Sequence, residues 1–75
     1  MKELNNDITL EDLLNDISEL FDFKFICFLI VDNKTYIIDS DDDLDGLHYE
    51  MYSRIVKKGF YEKRKDGYYI EIFLK

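Results

Sequence analysis

From residue 10 the apolar positions recur three and four apart, as Leu10, Leu13, Leu14, Ile17, Leu20 and Phe21. That spacing lines them along one side of an amphipathic helix over about residues 10–21. Glu11, Asp12, Asn15, Asp16 and Glu19 fall on the other side, which carries no base. Thr9 suits the N-cap, Asp12 can return a hydrogen bond three residues on, and Ile8 can staple onto Leu13.

The period then shortens. β-branched and aromatic residues dominate Phe23 to Val31 and return from Thr35 to Ile38, with Asp32-Asn33 between them. Asp and Asn tolerate positive φ, so this pair predicts a two-residue hairpin turn. Val31 should then face Lys34, Leu29 face Tyr36 and Cys27 face Ile38, with Phe28 beside Ile37 on the other side. Both faces of the first strand are apolar, which predicts an inner strand covered at least partly on each side.

A second helical stripe, Leu44, Leu47, Met51 and Ile55, leads from an acidic stretch to Lys57, Lys58 and Gly59. The two lysines suit the last turn of a helix and Gly59 its left-handed C′ position. Ser40 with Asp43 offers a capping box for its start, which places Gly46 inside the second turn at about 1 kcal/mol relative to Ala. After it, Ile70, Ile72 and Leu74 alternate with Tyr69, Glu71 and Phe73 behind Asp66-Gly67, a strong hairpin signal. The pattern therefore predicts one α+β domain over residues 1–75, a small antiparallel sheet of two hairpins with two helices in the order α-β-β-α-β-β.

Composition narrows the class. With 47% hydrophobic and 16% aromatic residues in 75, the chain has material for a core, although a domain of this size buries only about 60% of its unfolded surface. One cysteine cannot form an internal disulfide, which favours a reducing compartment. The opening MKELNNDITL lacks an apolar h-region, and Phe25 to Val31 is far short of the roughly 20 residues that cross a bilayer. A cytosolic protein without membrane contact is expected.

Charge changes the picture more. Seventeen acids against ten bases give −7, but residues 1–50 hold −11 and residues 51–75 hold +4. Five aspartates, Asp39, Asp41, Asp42, Asp43 and Asp45, fall within seven positions. The DDDLDG stretch matches the first half of a calcium loop of the EF-hand type, yet position twelve is Tyr52 instead of a bidentate glutamate, and a strand precedes it where a helix is required. One or two aspartates are accounted for by the attraction of a helix N-terminus for negative charge. Five crowded carboxylates exceed that. The surplus points either to an acidic surface kept for solubility or to one shaped to meet lysines and arginines, as duplex phosphates do.

The stretch FLIVDNKTYIIDSDDDLDGLHYEMYSRIVKKGF resembles a part of one type II-A family of small, acidic, phage-encoded anti-CRISPR proteins. There a strand, an Asx-rich turn and a Tyr-aliphatic-Ile strand lead into an acidic run and a helix. The resemblance implies a CRISPR effector nuclease as partner, with Asp39, Asp41, Asp42 and Asp43 facing the basic residues that read the protospacer-adjacent DNA motif. The basic YEKRKDGYY segment departs from that family, whose tail is also acidic.

The expected partner is thus a basic, nucleic-acid-binding protein surface. It would be met by Asp39 to Asp45 and Glu50, joined by Glu11, Asp12, Asp16 and Glu19 if the first helix lies nearby. Arg54, Lys57, Lys58, Lys63, Arg64 and Lys65 lie among Tyr61, Tyr68 and Tyr69, a mixture that can hold single-stranded nucleic acid, but the charge of −7 opposes it. A self-associating module, with the acidic half of one copy against the basic half of another, is the alternative. Cys27 in an apolar strand and His48 in a helix read as packing residues before they read as a catalytic dyad. One cysteine and one histidine cannot build a structural zinc site, and three glycines form no phosphate loop. No enzyme, cofactor or metal centre is expected.

Overall fold

The computed structural model describes residues 1–75. In chain order it contains β1 (Lys2–Glu3), α1 (Leu10–Asp16), a 3-10 turn (Ser18–Asp22), β2 (Phe25–Val31), β3 (Lys34–Ile38), α2 (Asp41–Asp45), α3 (Tyr49–Tyr52), β4 (Val56–Arg64) and β5 (Gly67–Leu74). The α+β class is as the pattern predicts. The order differs in detail, because a short first strand is added and the second helix divides.

Thr9 caps α1 by accepting a hydrogen bond from the Asp12 amide at 3.2 Å. The helix closes at Ile17, and the predicted stripe continues through the 3-10 turn. Leu10, Leu13 and Ile17 are buried, while Leu14, Leu20 and Phe21 pack on the edge of the same core. Both faces of this element remain as the spacing predicts, although only its first half is α-helical.

The first hairpin forms in the expected register, with Val31 opposite Lys34, Leu29 opposite Tyr36, Phe28 opposite Ile37 and Cys27 opposite Ile38. Asp32 and Asn33 take φ of 51° and 64°, the left-handed pair that such a turn requires. In the second hairpin the turn lies one residue earlier than Asp66-Gly67, since Arg64 pairs with Gly67 across Lys65-Asp66. Gly67 has φ 148°, and a Cβ there would run into the Lys24 carbonyl, which accepts from the Tyr68 amide.

The two hairpins join through β2 and β5, which run parallel, giving one sheet of order β1-β4-β5-β2-β3. The sheet is therefore mixed where a wholly antiparallel one was expected. Periodicity identifies strands but not which strand of one hairpin meets which of another. Alternation places Cys27, Leu29, Ile70, Ile72, Val56 and Ile38 on one face, where α1 and the half-buried Leu44, Leu47 and Met51 close over them. Every helix lies on that face. Ile26, Phe28 and Ile30 of the inner strand are half-buried on the other, which no helix covers.

The second helix departs most from expectation. Gly46 ends α2, His48 restarts the chain as α3, and residues 56–64 form a strand where a helical end was predicted. The backbone here is paired on both sides. Leu10 and Leu4 amides donate to Arg54 and Gly59 carbonyls, the Val56 amide donates to Ile8, and β5 runs along the opposite flank. β-branched Ile55 and Val56 suit that extended course. Gly59 is thus no helix cap: it lies buried in β4, where a Cβ would press on Leu4 at 3.3 Å. Lys57 falls at a register shift, and Lys58 lies over the Phe73 ring at 4.5 Å.

Candidate functional site

Ile38 is the last buried residue of β3, and the chain turns from it directly into the acidic corner. Ser40 is extended, with φ −147°, and its hydroxyl accepts from the Asp43 amide at 3.2 Å to start α2. The Asp43 carboxylate accepts in turn from the Asp39 amide at 3.3 Å. The reciprocal bond of the predicted capping box therefore lands one residue before the cap. It stabilises the ionised form and holds the Asp43 pKa below the usual carboxylate value. Leu44 is the anchor, half-buried against the core, while Asp39, Asp41, Asp42, Asp43 and Asp45 are exposed.

The corner is tied to its neighbours. Tyr52 of α3 donates its hydroxyl hydrogen to the Leu44 carbonyl, and α3 packs in turn on α1. The helical layer thus runs α1, α3, α2 over one side of the sheet. Glu50 is exposed on α3, its amide donating to His48 Nδ1. Glu11, Asp12, Asp16 and Glu19 are exposed on α1 and the turn after it, with Asp16 accepting from the Asn5 side chain at 3.4 Å. All ten predicted site residues lie on the helical side. The five aspartates share one corner, and the α1 carboxylates stand across α3 from it.

Chain charge becomes a division between layers. Residues 10–22 and 39–53 carry eleven carboxylates and no Lys or Arg. Every Lys and Arg lies on the strands, their turns and the segments that flank them. Several of these are engaged within the chain: Arg54 pairs with Asp32 at 3.0 Å, Lys75 with Asp7 at 3.1 Å and Arg64 with Glu62 at 3.2 Å. The basic hairpin is not one interleaved platform. Tyr61 and Tyr68 are half-buried at the core side, while Tyr69 lies on the open side beneath Arg64 at 4.1 Å.

The aspartates of DDDLDG form a helical turn, and no group of three His, Cys, Asp or Glu side chains converges anywhere as metal ligands would. Cys27 is 1% exposed, and burial pushes its thiol up to about 12, far from a reactive thiolate at neutral pH. His48 is exposed and accepts from the Glu50 amide, and no hydrogen bond joins it to Cys27. The sidedness of the carboxylates and the bare outer face of the sheet escaped the sequence reading. The only signal for the latter was the apolar second side of Phe25 to Val31. Comparisons with protein-family models, with characterised proteins and with solved structures found no match to this chain.

Proposed function

We propose that this chain is a non-enzymatic inhibitor that seats its acidic helical layer in a basic, nucleic-acid-binding cleft of a partner protein. The observation that carries the reading is the layer itself: eleven exposed carboxylates within residues 10–22 and 39–53, without one Lys or Arg among them. A cleft that holds duplex DNA is lined with cations spaced to meet about one phosphate charge per 1.7 Å of axis. Carboxylates fixed on short, packed helices can occupy it at little ordering cost, because Ser40, Asp43 and Tyr52 already hold the corner in place.

The resemblance to type II-A anti-CRISPR proteins makes a CRISPR effector nuclease the first partner to test, with Asp39 to Asp43 against its motif-reading cations. Asp41→Asn, Asp42→Asn and Asp45→Asn together remove three charges while sparing the Asp43 bond that builds the corner. Binding to the effector should weaken by about a hundredfold or more. A triple variant that binds as tightly as the unaltered chain would show that the corner does not carry the interaction.

A further inference from the structure

β3 is an open edge of the sheet. The other edge is closed by the two-residue β1, but β3 presents five residues in a row, without bulge or proline. Native sheets shield such edges with lysines, bulges, prolines or covering segments. Here only Lys34 serves, while Tyr36 and Ile37 are 41% and 59% exposed. The hairpin ladder begins with the hydrogen-bonded pair Val31–Lys34, so alternation turns the backbone N–H and C=O groups of Thr35 and Ile37 outward. These four groups have no partner in the chain.

We propose that β3 pairs antiparallel with β3 of a second copy, joining two sheets into one of ten strands about a two-fold axis at Tyr36. The register follows from the free groups. Pairing Thr35 with Ile37 of the second copy satisfies all four on each chain. A shift toward the turn requires Asn33, held at φ 64°. A shift the other way requires the Asp39 amide, already donated to Asp43.

Self-complementarity selects a second copy as occupant. The pairing sets Tyr36 against Tyr36 and brings Lys34 beside Ile38 of the second copy, where that chain enters its aspartate run. Opposite charges therefore meet at both ends of the strand. Beside β3, a cleft of about 420 Å³ lined by Tyr36, Leu47, Met51 and His48 leaves room for the incoming tyrosine. The contact differs from a meeting of acidic and basic halves, because it is built on the backbone of a sheet edge.

A five-residue edge is a small interface, so dissociation on the order of 10–100 µM is expected. Two copies of charge −7 repel at long range, and added salt should strengthen the pair. Seating in a basic cleft has the opposite salt dependence, which keeps the two readings separable. Sedimentation at about 200 µM should show a dimer that grows from about 0.02 to 0.3 M salt. Ile37→Pro removes one outward N–H per chain and should raise the dissociation constant at least about tenfold.

Because that variant could lose its fold, Tyr36→Cys provides an independent arm. Directly opposed residues in a non-hydrogen-bonded pair lie about 4.5 Å apart at Cα, within disulfide reach. Oxidised glutathione should convert this variant to a covalent dimer several times faster than Tyr49→Cys, whose parent residue is 76% exposed but distant from the edge. A monomer at every salt concentration, or equal rates for the two cysteine variants, would overturn the proposal.

Discussion

Gly59 and Gly67 differ in how strictly they need glycine. At Gly67 the backbone lies at φ 148° with the Lys24 carbonyl in the path of any Cβ, whereas Gly59 is extended and only crowded by Leu4. Gly67→Ala should therefore cost about 2 kcal/mol or more, well above the cost of Gly59→Ala, as read from urea unfolding midpoints. Thr9 carries a single cap bond on an exposed surface. Thr9→Ala should remove about 1 kcal/mol and lower the melting temperature by roughly 4–8 °C in a domain of this size. Cys27 is the silent residue. With its thiol buried and pushed up to about 12, it should resist an aromatic disulfide reagent at neutral pH until the chain is unfolded.

The elements differ in how far local sequence determines them. The register of the β2–β3 hairpin was readable to the residue, because its turn chemistry and alternation agree, although β2 begins at Phe25 instead of Phe23. The second helix was not. Its stripe of Leu44, Leu47, Met51 and Ile55 is helical by spacing, but residues 54–59 gain backbone partners from the N-terminal segment on one side and β5 on the other. Such long-range pairing leaves no periodic trace, and the same is true of the parallel β2–β5 junction.

The acidic run was visible as composition and its cap as Ser40 with Asp43. What could not be read was that α1 and α2 would share a side of the sheet, which depends on how the hairpins join. Asp43 also gives its corner a pH dependence. Its folded pKa lies below the unfolded value of about 3.9. Its contribution is therefore present above that value and is lost as pH falls through the lowered one. Amide resonances of Asp39 and Asp43 should move together over that range, and Asp43→Asn should abolish the coupled change.

At the scale of the molecule, acids and bases are divided between elements. The helices and the 3-10 turn carry acids and no Lys or Arg, while the bases lie on the strands, their turns and flanking segments, several of them already paired or stacked, and the register turns Lys2, Lys34 and Lys63 to the face that the helices cover. A chain built this way should approach a cationic cleft helix-side first, and its affinity should fall steeply between about 0.05 and 0.3 M salt. The two-fold pairing would bring two acidic layers into one particle and raise avidity for clustered targets.

The most direct test of the acidic-layer account is competition on a guide-loaded type II-A CRISPR effector between this chain and duplex DNA bearing the protospacer-adjacent motif. Mutual exclusion is predicted, with DNA displacing the chain in proportion to its own affinity and the Asp41, Asp42 and Asp45 triple Asn variant failing to compete. A stable ternary complex of effector, DNA and this chain would contradict it.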